Sequence, residues 1–330
     1  LQVSEGKADD RHLALLPLPT LLENIAATAV QILAGAATVL LPLAQVGFKG
    51  SSQLDPFAML TAIAANEATS IVTVPQTLMG LIFAVASTRR PEKLRLISVG
   101  GAPLSRATLQ QAKALGLPVY EGYGLSELSS VVAFNGPSAS KPGSVGRPLP
   151  HVELAFAEDG EILVKGAVAE GYLGARGDEQ QPRADRFWAT GDLGHLDDEG
   201  YLHLDGRKKN MFITSFGRNV APEWIECELT ARGAIAQAAV FGEARPWNTA
   251  VIVPRDALGA EEGRIEADIR KVNDSLPDYA RVRRWLIAAE PFTAMNEMAT
   301  PNGRLRRERI FARYAKALNA LYEDETADVL

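Results

Sequence analysis

The segment Tyr120 to Glu127, YEGYGLSE, gathers three chemistries in one short stretch. Tyr123 offers an aromatic face on which a base can stack, and Ser126 a hydroxyl for a phosphate oxygen. Glu127 supplies a hard carboxylate oxygen of the kind magnesium takes, and Gly124 permits a tight backbone between them. Just after a strand, this set is what a nucleotide phosphate with its metal needs. The same residues also read as a strand-to-helix turn with Ser126 as N-cap. A second segment, Ser98 to Pro103 (SVGGAP), is a strand running into small residues. Its glycines would let a flat ligand approach the backbone at the carboxyl end of a sheet strand, or would simply make a tight turn. In a third, Phe187 to Gly194 (FWATGDLG), Asp192 can accept two hydrogen bonds from a ribose diol or can cap its own turn. Asp197-Asp198-Glu199-Gly200 lacks the spaced oxygens and closing glutamate of a calcium loop and reads as a solvated hairpin turn.

The elements that must position these residues follow from apolar patterning. Asp55 and Pro56 stand in N-cap and first-turn order before a helix through PFAMLTAIAANEA, and the β-branched run TSIVTVP follows, closed by Pro75. A helix from about Thr77 to Ala86, the strand LRLISVG, a helix opened by Ser105 and the strand LPVYEGYG come next. Strands alternating with helices of this length predict a parallel sheet with flanking helices. From about Val145 the texture changes to hairpins, VELAF with ILVKG and then GHLDDEGYLHLDG, so a small antiparallel β region is expected. Beyond Asp205 the pattern is mixed again, with a helix from about Pro222 to Ala231, two strands, and a helix around Glu261 to Ser275. The boundary is placed near residues 205 to 209, giving a larger α/β domain over 1–206 and a smaller α+β domain over 207–330.

Composition bounds the function. The chain has 330 residues, 47% hydrophobic and 22% charged, which excludes disorder, collagen and a disulfide scaffold. A net charge of −6 argues against nucleic acid as a partner. The single cysteine, Cys227, cannot form an intramolecular disulfide and suits a reducing, cytoplasmic setting. His12, His151, His195 and His203 are too scattered for a metal cluster. The apolar run Ile25 to Leu41 is at the short edge of a membrane span and is broken by Thr28, Gln31 and Thr38. It is expected to be a buried helix feeding a short buried strand, and membrane association to be peripheral at most.

GGAP, YGLSE, TGDLG, DGRKKNMFITSFGRNVAPEWIE and TPNGRLRR, in that order, resemble the adenylate-forming superfamily of acyl-CoA synthetases, luciferases and peptide-synthetase adenylation domains. ITSFGRNVAPEWIE and the segment Leu13 to Ala26 are most similar to long-chain fatty acyl-CoA synthetases. The resemblance implies an AMP-forming acid–thiol ligase that uses ATP, magnesium and coenzyme A on a carboxylic acid, with a fatty acid expected. A carboxylate attacks the α-phosphate of ATP to give an acyl-adenylate and pyrophosphate, and a thiol then displaces AMP. By resemblance, Gly101, Ala102 and Pro103 border the adenine with Gly122 and Gly124, and Tyr123 stacks on it. Ser126 touches the α-phosphate, Glu127 holds magnesium, and Asp192 and Arg207 bind the ribose hydroxyls. Lys209 falls at the hinge on which the small domain swivels, and Gly217 with Arg218 lies where the pantetheine arm passes.

Two departures stand out. The superfamily places a lysine after glycine in the last motif to bridge the carboxylate and the α-phosphate, whereas here Gly303 is followed by Arg304, whose planar fork differs from a compact ammonium. The superfamily's Ser/Thr/Gly-rich phosphate loop finds no match before Leu13. With Leu1 rather than Met at the start, a fragment of a longer ligase is expected. The alternatives are an adenylating enzyme with a carrier-protein acceptor and a non-catalytic nucleotide-binding module.

Overall fold

Parallel strands need crossover connections, and the helices between Asp55 and Ala114 supply them. A computed structural model describes residues 2–49, 53–166, 168–169, 186–255, 262–300 and 303–323. The chain divides into two compact units, Leu1–Asp205 and Gly206–Leu330.

In the first unit, β1 (Arg11–Leu13) leads to α1 (Leu21–Asn24), a π-helical stretch Ile25–Val30, α2 (Gln31–Ala34) and β2 (Ala37–Val39). A small hairpin of β3 (Phe48–Lys49) and β4 (Gln53–Leu54) precedes α3 (Pro56–Ala65). Then β5 (Ser70–Thr73), α4 (Pro75–Ala86), β6 (Leu96–Val99), α5 (Arg106–Ala114) and β7 (Val119–Tyr123) alternate as predicted, followed by β8 (Ala133–Phe134) and β9 (Arg147–Pro148). The sheet order is β2-β1-β5-β6-β7-β8-β9, parallel from β2 to β7 and antiparallel beyond. The capping chemistry is local. Asp55 accepts the Ala58 amide at 3.1 Å, and Ser105 accepts the Thr108 amide at 3.0 Å. Pro75 opens α4 rather than merely closing β5, since its missing N–H costs nothing in the first turn. Leu13, Ile71 and Ile97 on the strands meet Met59, Ile63 and Leu78 on the helices, all without solvent exposure. Each such side chain contributes ~1.5–3 kcal/mol of burial.

A four-stranded sheet follows in the order β10 (Glu153–Phe156), β11 (Glu161–Lys165), β12 (Trp188–Leu196), β13 (Leu202–Arg207). The predicted turn at Asp197 forms between β12 and β13. Lys141 binds both Asp197 and Glu199, at 2.7 and 2.8 Å, and with His203 it holds the Asp197 carboxyl far below the usual range.

The run Ile25 to Leu41 departs from expectation. Its buried residues Ala27 and Gln31 continue a row begun by Glu23 just before it, spaced four apart, while Ile32 and Leu33 are 78% and 73% exposed. Helical phase, not apolar composition, chose the inward face. Glu23 tolerates burial because His12 Nε2 lies 2.9 Å from one of its oxygens and the Leu16 amide donates to the other. Among the described residues no helix is long and apolar enough to cross a membrane.

One ion pair ties the start of β1 to β6. Arg95 donates to both oxygens of Asp10, which is 5% exposed, and the residues lie 85 positions apart. Burial raises the Asp10 carboxyl, but hydrogen bonds from Arg95 and the Lys7 amide outweigh it and leave the group below 3.8. A depressed carboxyl contributes stability above its unfolded value that is lost as pH falls through the folded one. Asp10→Asn is therefore expected to lower stability at neutral pH by about 1.5–3 kcal/mol, the usual worth of a charged hydrogen bond. Denaturant midpoints should converge on those of the parent chain in acid. A gap that persists in acid would assign the loss to something other than the ion pair.

The second unit opens with a hairpin of β14 (Phe212–Ile213) and β15 (Asn219–Val220) and continues through α6 (Pro222–Thr230), β16 (Ile235–Phe241), β17 (Asn248–Pro254), α7 (Glu262–Ser275), β18 (Val282–Ile287) and α8 (Arg307–Glu323). Its sheet, β16-β17-β18, pairs β16 and β17 antiparallel and β17 and β18 parallel. Ile225, Ile265 and Val272 pack one face and Val251, Phe292 and Ile310 the other, an α+β arrangement.

Candidate active site

The parallel strands of the first unit end side by side. In register, Thr73 pairs with Val99 and Val99 with Glu121, so the glycines after β6 reach the end of β7. A Cβ at Gly100 would lie 3.5 Å from the Gly122 carbonyl oxygen. Gly101, at φ +85°, turns the chain outward, and Gly101, Ala102 and Pro103 are all exposed. The carboxyl end of a parallel sheet is where ligands of α/β folds bind.

Beyond β7 the backbone is tightly constrained. At Gly124 a Cβ would fall 1.4 Å from the Ser130 carbonyl oxygen, so only glycine fits. Ser129 and Ser130 adopt positive φ of 52° and 84°, conformations non-glycine residues avoid unless the surroundings impose them. Ser126–Leu128 form a single 3-10 turn in which Ser126 is the first residue, Leu125 takes the cap position and no side chain caps it. Ser126 is exposed and Glu127 half-buried.

The third segment arrives from the other sheet. Gly191, at φ +73°, sits opposite an irregularity in the pairing of β11 with β12, and its amide donates to Glu161 Oε1 at 2.9 Å. Thr190 donates to the Ile162 carbonyl and accepts the Asp192 amide at 3.1 Å. Asp192 is thereby aimed at β7, where the Tyr123 hydroxyl donates to its Oδ2 at 2.7 Å across 69 residues. Both side chains are below 9% exposed. The structure thus joins two motifs that the sequence offers separately, and the strand carrying Tyr123 stands beside the one that runs into GGAP.

Glu121, on β7 with Tyr123, was not singled out from sequence. Burial alone pushes its carboxyl up to about 8. Only the fold reveals this, because its neighbours in sequence, Tyr120 and Gly122, give no sign of desolvation. Among the described residues no group of three or more His, Cys, Asp or Glu side chains could hold a metal ion. A single carboxylate such as Glu127 still suits magnesium, which keeps several waters and takes other oxygens from phosphates.

The remaining predicted positions lie in the second unit. Arg207 ends β13, and Lys209 is exposed in the 3-10 turn Lys208–Asn210. Gly217, at φ +71°, forms the β14–β15 turn with open space around it. Its neighbour Arg218 lines a cavity of about 410 Å³ with Phe216, Trp247, Tyr279 and Arg283. Arg218 lies 6.0 Å from the Tyr279 ring and Arg283 5.8 Å from the Trp247 ring, while Trp247 Nε1 is buried without a partner. Two aromatic faces between two guanidinium groups suit a flat base with attached phosphates. The interleaving of aromatic and basic residues in RPWN and PDYARVRR was the available signal, although the sequence shows only the arginines as a cluster. Gly303, at φ +79°, and the exposed Arg304 occupy a tight turn closed by pairing of Ala299 with Leu305.

Residues 1–179 match the family model for AMP-binding enzyme and residues 209–326 that for the AMP-binding enzyme C-terminal domain. The chain is 34% identical over 249 residues to the long-chain-fatty-acid–CoA ligase FadD15 of Mycobacterium bovis, covering 68% of this chain and 42% of that protein. It is 36% identical over 222 residues to a 2-succinylbenzoate–CoA ligase of Bacillus velezensis, covering 62% and 45%. The chain thus spans under half the length of these curated relatives. Among solved structures, the Bacillus subtilis o-succinylbenzoate CoA synthetase with its acyl-adenylate intermediate aligns at a TM-score of 0.73 and 26% identity, covering 94% of this chain and 62% of that one. The anthranilate CoA ligase AuaEII shares the fold at a TM-score of 0.78 and 22% identity, covering 97% and 62%.

Proposed function

Because the chain belongs to the AMP-binding enzyme family, we propose that it carries the AMP-binding and thioester-forming portion of an AMP-forming acyl-CoA ligase. The observation that carries this reading is the Tyr123–Asp192 hydrogen bond, 2.7 Å long, which joins a ring suited to base stacking, on the strand next to GGAP, to a carboxylate suited to a ribose diol. In the reaction, a substrate carboxylate oxygen bonds to the α-phosphorus of ATP as pyrophosphate leaves. The thiolate of coenzyme A then bonds to the acyl carbon as AMP leaves. Gly101, Ala102, Pro103, Gly122 and Gly124 give the adenine a flat approach, and Tyr123 stacks on it. Asp192 and Arg207 accept and donate at the ribose hydroxyls. Ser126 meets the α-phosphate, and Glu127 is the ligand for magnesium, which would neutralise phosphate charge. Arg304 supplies a fixed positive charge to the anions in the first step. Lys209 is the hinge, and Gly217 and Arg218 border the thiol's arm, whose nucleotide end finds its chemistry in the cavity of Trp247, Tyr279 and Arg283.

FadD15 is named a long-chain-fatty-acid–CoA ligase, and a fatty acid is the substrate this supports here. The chain's single cysteine, Cys227, suits the cytoplasm, where such a ligase would act.

Calorimetric titration with AMP tests the reading. Tyr123→Ala and Asp192→Ala are each expected to weaken binding by on the order of 1 kcal/mol or more, and less than additively in combination because they touch. Unchanged affinity in both would overturn the site. Supplied with acyl-adenylate and coenzyme A, the chain should release AMP and acyl-CoA. AMP binding without that turnover would leave a nucleotide-binding module instead, and turnover with a pantetheinylated carrier protein alone would change the acceptor.

A further inference from the structure

In the second unit lies a partly buried ionic cluster, with Glu226 at its buried centre, that the reaction above does not use. Arg307, the first residue of α8, grips Glu226 of α6 with both terminal nitrogens, at 2.5 and 2.6 Å, and lies 3.5 Å from Glu223 Oε1. Glu226 Oε1 also accepts the Val240 amide of β16 at 2.7 Å. Glu223 Oε1 accepts the side-chain amide of Asn210, which directly follows Lys209 in the 3-10 turn. One end of this chain of contacts therefore sits on the Lys209 turn. The other reaches the Arg304 turn, since Arg306 donates its amide to the Met298 carbonyl at 2.9 Å and Arg304 donates its own to Thr300 Oγ1 at 3.0 Å.

The energetics argue that this cluster serves geometry. Two carboxylates share one guanidinium, burial raises the Glu226 carboxyl, and Glu223 Oε2 is buried with no partner. Well-packed apolar residues in place of a buried ionic set commonly give equal or greater stability. A bidentate fork, by contrast, fixes both distance and plane.

We propose that Arg307 is a positioning residue that locks the Arg304 turn to the Lys209 turn through Glu226, Glu223 and Asn210. The charged tip of Arg304 is then held at a set place on the body that turns about Lys209. Arg304 itself is exposed and stands on a turn with no side-chain packing behind Gly303. Its placement depends on what anchors the residues that follow it. The kinetic meaning of the lock rests on the function proposed above; its existence does not.

The test uses the full chain with Cys227→Ser and spin labels on cysteines introduced at positions 209 and 304. The parent should give a narrow distance distribution. Arg307→Met should broaden it at least about twofold, and Arg307→Lys, which keeps charge but loses the fork, should broaden it to an intermediate degree. Asn210→Ala, which keeps the Arg307–Glu226 pair, should also broaden it and serves if Arg307→Met does not fold. Unchanged widths in Asn210→Ala and Arg307→Lys would overturn the proposal. In unlabelled protein, Arg307→Lys should slow acyl-adenylate formation, or its reversal by pyrophosphate, by roughly tenfold or more, because small misplacements of a charged group are that costly. Thioester formation from supplied acyl-adenylate should stay within about twofold, a split that general destabilisation would not produce. Broadened distances with both half-reactions unchanged would keep the lock and remove Arg304 from the chemistry.

Discussion

Replacing Glu121 by glutamine is expected to abolish most of the fall in stability that the parent chain suffers between weakly acidic and mildly alkaline pH. The Glu121 carboxyl ordinarily titrates at 4.5 and is pushed to about 8 by burial in the middle of β7. A carboxyl raised on folding contributes fully below its unfolded value, and that contribution is lost as pH climbs through the folded one. At about 1.4 kcal/mol per pKa unit, the full loss is on the order of 5 kcal/mol, an upper bound because Glu121 is only half-buried and water can reach it when ionised. The amide is nearly isosteric and does not titrate. Urea midpoints measured from pH ~4.5 to ~9 should therefore slope downward for the parent and run level for Glu121→Gln, the two meeting at the acid end. Parallel slopes would show that Glu121 is ionised in the folded chain at neutral pH.

The largest functional effect is expected at Gly217. Its φ of +71° costs any other residue about 1 kcal/mol of backbone strain, so Gly217→Ala isolates that strain. Gly217→Trp adds a broad ring between Phe216 and Arg218, both of which line the aromatic cavity. Among the described residues nothing lies within 4 Å of a Cβ there, so the new side chain starts in open space. Transfer from supplied acyl-adenylate to coenzyme A should fall on the order of a hundredfold in the tryptophan variant. It should fall only a few-fold in the alanine variant, and AMP affinity should hold in both. Normal transfer in Gly217→Trp would remove this turn from the thiol's path.

Much of the scaffold was legible because its signals are local. Asp55-Pro56 and Ser105 cap the helices they announce, and the β-branched SIVT and the LISV run become neighbouring central strands. The run from Ile25 to Leu41 misled because hydrophobicity does not carry helical phase, and the buried row that enters it includes Glu23 and Gln31, which need partners invisible in sequence. At the site, YEGYGLSE, GGAP and TGDLG could be recognised one by one. That Tyr123 and Asp192 bond to each other could not, because strand order decides which ends meet. Trp247 and Tyr279 escaped for the same reason, since they come from different loops and share a cavity only once β17 and β18 have paired.

The bond between Tyr123 and Asp192 also has a bearing on how the protein is made. It spans 69 residues and links a parallel sheet to a separate antiparallel one. Closing so long a loop precedes any reward from the contact, so such pairings belong to the late, slow part of folding. During synthesis Tyr123 would emerge well before its partner, and its strand would wait with an unfinished ring pocket. Nucleotide recovered during refolding would therefore appear after helix formation and report the moment the two sheets dock.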